Sequence, residues 1–135
     1  MAKVVRIYET GGPDVLRFEN ATVGEPGPGE VRVRHVAVGL NFADTYFRSG
    51  LYKVPLPSSI GNEAAGVIEA VGSGVTHLAV GDRVTYTGFT PTLGAYSTDR
   101  LISADPLIKL PEAISCEVAA AMTMRGLSAA YLMRR

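Results

Sequence analysis

Turn-forming residues interrupt this chain so often that little room is left for long helices. Gly11-Gly12-Pro13-Asp14, Pro26-Gly27-Pro28-Gly29, Gly72-Ser73-Gly74 and Gly81-Asp82 each join residues that supply positive φ or fix φ near −65°. The 15 glycines and 8 prolines among 135 residues exceed ordinary usage, yet stay below the level of a low-complexity chain. Between the turns lie short apolar or alternating runs at 4–8, 15–19, 30–34, 65–71, 83–87, 96–103 and 107–110, with a further loop at 88–94. Many short strands at close spacing predict a mainly β fold, a barrel or sandwich. The run at 30–34 alternates strictly. Beyond it Val36 and Val38 fall on the face that Arg32 and Arg34 held, which predicts a bulge near His35 or a strand end buried on both sides.

Helices are expected in two places. Residues 41–49 read as a short helix, with Asn41 as N-cap accepting from the N–H of Ala43 or Asp44, and Gly50 as its stop. Phe42 and Tyr46 stand one turn apart, as do Ala43 and Phe47. Pro55 and Pro57 then enforce an extended loop. After Pro111, Ser115 can cap a helix from 116 to about 123, and 127–135 reads as a second helix. Arg134 and Arg135 suit a helix C-terminus, but no Gly, Asn or Pro follows, so the chain stops inside an uncapped helix.

Composition narrows the function classes. Hydrophobic residues make up 47% and charged residues 19%, as in a globular protein. Thirteen basic residues balance thirteen acidic ones, so the basic excess of a dedicated nucleic-acid binder is missing. The single cysteine, Cys116, allows no intrachain disulfide, and a reducing, cytoplasmic setting is expected. The first residues alternate like a strand and lack a signal peptide's apolar run, and no stretch suits a membrane span. Asn20-Ala21-Thr22 matches a glycosylation sequon, here read as chance.

Several chemistries lack their residues. Gly72-Ser73-Gly74-Val75-Thr76-His77 begins like a dinucleotide fingerprint, but His77 stands where the third glycine belongs, and a plain turn is the better reading. There is no Walker-type phosphate loop and no Gly-x-Ser-x-Gly elbow. His35, His77 and Cys116 are widely spaced and form no short metal-ligand pair. His35 reads as structural, His77 as a turn residue and Cys116 as a buried, inert thiol.

Positive signals come from two segments. Gly61-Asn62-Glu63-Ala64-Ala65-Gly66-Val67-Ile68-Glu69-Ala70-Val71-Gly72, followed by Val75 and Gly81-Asp82-Arg83-Val84, resembles the N-terminal GroES-like domain signature of the medium-chain dehydrogenase/reductase superfamily. Leu40-Asn41-Phe42-Ala43-Asp44-Thr45-Tyr46-Phe47-Arg48-Ser49-Gly50-Leu51-Tyr52 resembles its quinone oxidoreductase branch, the one that includes zeta-crystallin. Zinc alcohol dehydrogenases carry a cysteine where Asn41 stands and a histidine where Asn62 stands, and also a four-cysteine lobe absent here.

The resemblance covers the whole chain and implies a partly open GroES-like β-barrel over residues 1–124. Residues 125–135 would begin a linker helix toward a Rossmann domain. It implies NADPH as cofactor, no zinc, a quinone or enone as small-molecule substrate, and a full-length homodimer. No nucleic-acid or membrane partner is implied. The residues that separate NADPH from NADH would lie in the Rossmann domain. Carried over by position, Asn41, Asp44, Met124 and Ser128 would bind cofactor, while Tyr46 and Tyr52 would act on the substrate. Met124-Arg125-Gly126-Leu127-Ser128 resembles the crossing segment, where the family more often has Lys and Thr in place of Arg125 and Ser128. On the residues alone, Tyr46 and Phe47 read as core of a small helix; the resemblance makes Glu63 a scaffold position, expected in a structural ion pair. Alternatives within reach are an enoyl reductase of the same superfamily and a non-catalytic GroES-like binding module. The fragment by itself is expected to be inactive.

Overall fold

Close turns and alternating runs produce two antiparallel sheets and two helices in the computed structural model, which describes residues 1–88 and 93–134. The first sheet has the order β2-β1-β4, from β1 (Ala2–Ile7), β2 (Arg17–Ala21) and β4 (Ser58–Ser59). The second has the order β7-β3-β5-β6-β8. Its strands are β3 (Glu30–Gly39), β5 (Glu63–Val71), β6 (Arg83–Thr87), β7 (Asp99–Ser103) and β8 (Ile108–Lys109). A bridge between Val4 and Ser97 seams the sheets together, reinforced by Val5 N–H to Tyr96 O (2.8 Å) and Thr98 N–H to Lys3 O (2.9 Å). No helix is long and apolar enough to cross a membrane among the described residues.

Apolar side chains on the inner faces make the main core, with Val31, Val33, Ile68, Val84, Tyr86 and Ile102 at its centre. A second cluster of Ile7, Val15, Phe47 and Ile60 seats helix α1 (Phe42–Ser49) under the smaller sheet. Asn41 is the N-cap of α1 and Gly50 ends it in the left-handed region at φ 86°. Helix α2 (Cys116–Met133) lies across β3, β5 and β6. Small residues allow its close approach: Cys116, Ala119 and Ala120 meet Ala65, with Ala37 and Leu110 alongside. Ser115 caps it, its side chain accepting from Val118 N–H at 3.2 Å. The turn that delivers the chain to α2 is clamped by Arg83. Its guanidinium donates to the carbonyls of Ile114 (2.9 Å), Pro111 (3.0 Å) and Glu112 (3.1 Å).

Four expectations are corrected. The two C-terminal helices are one continuous helix through Gly126. A single helical glycine costs only about 1 kcal/mol relative to alanine, and side chains bind the backbone on both sides of it: Thr123 Oγ1 to Ala119 O (2.7 Å) and Ser128 Oγ to Met124 O (2.8 Å). Residues 13–15 form a 3-10 turn with proline at its start, so β2 begins only at Arg17. Residues 96–98 serve as the seam, and β7 begins at Asp99. The expected bulge is present, with the β3–β5 register shifting between His35 and Ala37, but Val36 and Val38 remain exposed, which removes the doubly buried strand end. Residues 89–92 of the loop expected at 88–94, and Arg135 of the terminal helix, lie outside the described residues.

Candidate active site

One acidic side chain inside an apolar run marks the site. Glu63 opens β5 and is completely buried. Burying a carboxylate is costly unless donors surround it, and three converge here. Asn41 Nδ2 donates to Oε2 at 2.9 Å, Met124 N–H donates to Oε1 at 2.6 Å, and Arg125 Nη1 stands 3.9 Å from Oε2. Gly39 supplies the space. A Cβ there would lie 2.5 Å from Glu63 Oε2 and 2.5 Å from Ala120 O.

A second buried carboxylate, Asp44, lies in the first turn of α1. Its Oδ2 accepts from Asn41 N–H (2.9 Å) and Tyr96 OH (2.8 Å), and its Oδ1 accepts from the Asn62 amide. Burial, helped by the Asp44 charge, pushes the Tyr96 phenol well above its ordinary value. Gly61, at φ 96°, lets the chain pass Tyr96; a Cβ would come within 2.7 Å of Tyr96 N. Asn62 Oδ1 is buried without a hydrogen-bond partner among the described residues.

An aromatic group continues along α1. Phe42 and Tyr46 meet edge to face at 5.5 Å between ring centroids, Tyr46 and Tyr52 at 5.3 Å, and Phe47 and Tyr52 at 5.4 Å. Tyr52 N–H donates to Tyr46 O at 3.0 Å, which folds the segment after the helix back onto it. Phe47 is buried, Tyr46 is half-buried and Tyr52 is exposed.

The structure therefore gathers Asn41, Asp44 and Met124 into one network, with Tyr46 and Tyr52 as a neighbouring pair on the same helix and its return. Ser128 stands one turn beyond Met124 on exposed surface, its hydroxyl turned back to Met124 O. Arg125 reaches across from α2 to Leu40 O (2.9 Å), immediately before the α1 cap. Glu63 is in an ion pair, as expected from sequence, but it is also the junction of β5, α1 and α2. Tyr96 was missed altogether: it lies 52 positions from Asp44, and no local pattern announces the contact.

The remaining chemistry-bearing residues serve the scaffold. His35 Nδ1 faces Ser97 O at 2.7 Å, so this nitrogen carries the proton and Nε2 accepts from Tyr86 OH at 2.9 Å. Burial pushes His35 down to about 4. Cys116 is buried and its thiol is pushed up, chiefly by desolvation. His77 Nε2 faces Ala104 O at 3.4 Å. Among the described residues, no three His, Cys, Asp or Glu side chains are grouped to hold a metal ion.

A β-scaffold that seats a short capped helix beside a buried amide–carboxylate network defines a domain of the GroES-like kind. Residues 27–112 match the alcohol dehydrogenase GroES-like domain family, and the chain belongs to that family. It is similar to a quinone oxidoreductase of Pseudomonas aeruginosa, 52% identical over the whole of this chain and 41% of that protein. It is also similar to a 2-haloacrylate reductase of a Burkholderia species, 43% identical over the whole chain and 42% of that protein. The solved structure of Escherichia coli quinone oxidoreductase complexed with NADPH superposes with a TM-score of 0.93 at 47% identity, over 98% of this chain and 40% of that one. The chain thus spans about two-fifths of the length of these relatives.

Proposed function

We propose that this chain is the substrate-side domain of an NADPH-dependent, zinc-free quinone oxidoreductase, working in the cytoplasm as a homodimer. The observation that carries this reading is the Asn41 amide, held by a buried carboxylate at the mouth of α1, with the phenols of Tyr46 and Tyr52 one to two turns away. Amides and phenols suit an uncharged, amide-bearing ring and a carbonyl substrate. Asn62, whose buried Oδ1 has no partner among the described residues, adds acceptor character of the same kind.

When bound, NADPH supplies the hydride. Asn41 and Asp44 at the helix mouth would hold its nicotinamide end, and Met124 and Ser128 on α2 would also bind the cofactor. Residues 1–124 form the catalytic domain, and 125–135 begin the passage to the nucleotide-binding one. Reduction of a quinone builds negative charge on a carbonyl oxygen. Tyr46 and Tyr52 donate hydrogen bonds to that oxygen, the role a metal ion plays elsewhere as Lewis acid. The exposed Phe42 and Leu40 give the flat ring an apolar edge to rest on.

The resemblance to a 2-haloacrylate reductase favours a second reading, reduction of an activated carbon–carbon double bond with the same cofactor. Steady-state assays of the full-length protein against a panel of quinones, enones and enoyl thioesters separate the two; preference for the thioesters overturns the quinone assignment. NADPH titrated into residues 1–135 alone is expected to show no micromolar binding and no turnover. One equivalent of tightly bound zinc after chelator washing overturns the zinc-free assignment.

A further inference from the structure

We propose that Glu63 is a positioning residue that sets which way the Asn41 amide faces, and that Arg125 holds this setting from helix α2. The inference rests on the reading of Asn41 as a cofactor-side residue. An asparagine amide can flip by half a turn about its last bond and exchange donor for acceptor. Here the flip is forbidden, because the group facing Glu63 Oε2 at 2.9 Å must be a donor. The amide oxygen is then fixed on the other side, toward the Asp44 N–H in the capping box of α1.

Only a carboxylate can do this. All three groups that converge on Glu63 are donors: the Asn41 amide, the Met124 N–H and the Arg125 guanidinium. A glutamine in the same place would set its own NH₂ against one of them, breaking one contact and inviting the Asn41 amide to turn over. The link to Met124 N–H adds a second consequence. The same carboxylate that orients Asn41 also binds the backbone of α2, so the two elements flanking the site share one acceptor.

Arg125 is suited to the holding role because its planar fork spans several acceptors. One nitrogen donates to Ala121 O at 2.9 Å and lies beside Glu63, while the other donates to Leu40 O at 2.9 Å. Leu40 immediately precedes Asn41, so the guanidinium fixes the backbone of the residue whose side chain Glu63 orients. Lysine at this place keeps the charge and loses the span.

A double-mutant cycle on the full-length protein tests this, with Glu63→Gln, Asn41→Ala and both together. The readouts are kcat/KM for a quinone, the NADPH dissociation constant from nucleotide fluorescence, and Tm. Glu63→Gln is expected to lower kcat/KM about tenfold, the usual scale for groups that orient a functional side chain. In the Asn41→Ala background it is expected to change kcat/KM by less than about twofold, because no amide is left to orient, while Tm still falls there, because Met124 N–H and Arg125 face residue 63 in both backgrounds. Equal fold losses of kcat/KM in both backgrounds overturn the proposal and leave Glu63 a purely structural residue. If Glu63→Gln does not fold, Arg125→Lys, at a half-exposed side chain, replaces it in the same cycle, with about a threefold loss expected only when Asn41 is present. If the wild-type protein binds NADPH but reduces no quinone, the quinone assignment fails on its own and the cycle is read in the NADPH affinity. Absence of NADPH binding by the full-length wild type overturns both.

Discussion

Two polar networks sit on neighbouring strands of the larger sheet, a buried one around Glu63 on β5 and a half-buried one around His35 on β3, and they are built from opposite chemistry. The Glu63 network is charged. A group with only acceptors is met by donors alone, the Asn41 NH₂, the Met124 N–H and a guanidinium from the surface. The His35 network is a chain of neutral hydrogen bonds running from Tyr86 OH through the imidazole to Ser97 O, with Arg100 Nη1 3.5 Å from the phenol. Ser97 is the bridge residue between the sheets. The first network therefore fixes elements that border open surface, while the second closes the barrel. A charged junction depends on donor count and room. A neutral junction depends on one imidazole staying unprotonated.

The sharpest way to break this contrast is to remove the room. Gly39→Ala drives a Cβ into the Glu63 carboxylate and the Ala120 carbonyl, and is expected to cost about 3–4 kcal/mol, read by urea unfolding at neutral pH. A loss below about 1 kcal/mol would show that α2 can lift off β3 and that the junction is loose.

The neutral network is probed by pH. His35 in the unfolded chain takes up a proton near pH 6.5, whereas in the folded protein it does so only near 4. Its contribution is fully present above pH 6.5 and is lost as pH falls toward 4, by at most about 3 kcal/mol. Urea unfolding between pH 7 and 4 is expected to show this decline, and His35→Phe is expected to flatten it. An unchanged slope in that variant would place the pH sensitivity elsewhere.

Smaller effects grade the Asp44 side of the charged network. Tyr96→Phe removes one donor from a buried carboxylate that keeps two others, with an expected loss of about 1–2 kcal/mol in thermal unfolding. Tyr46→Phe keeps the edge-to-face ring contacts of the aromatic group and is expected to leave stability within about 0.5 kcal/mol. In the full-length protein, the same change is expected to lower quinone kcat/KM. Unaltered turnover would reduce Tyr46 to a packing residue.

Local chemistry made the scaffold legible in the sequence. The strand at 83–87, the cap and stop of α1 and the bulge by His35 all follow from alternation, Asn41, Gly50 and the change of apolar face beyond Arg34. The long helix was not legible as one piece, because Gly126 reads as a break, yet a single helical glycine costs only about 1 kcal/mol. Asn41 and Asp44 are candidates that family resemblance alone singles out. Their support was only half legible: Glu63 is visible as a charge inside an apolar run, but its donors come from positions 41, 124 and 125. Tyr96 and the Arg100–Tyr86–His35 alignment depend on which strands become neighbours, and no short window encodes that.

The Arg83 clamp acquires a different meaning once distance along α2 is considered. Met124 lies nine residues after the Ser115 cap, about 13 Å along the helix axis. A tilt of only about 5° at the clamped end would carry Met124 N about 1 Å across the Glu63 carboxylate, enough to break a 2.6 Å hydrogen bond. The helix thus works as a lever arm. The arginine that pins its fulcrum on β6 thereby governs how finely Met124 is aligned on Glu63 at the other end.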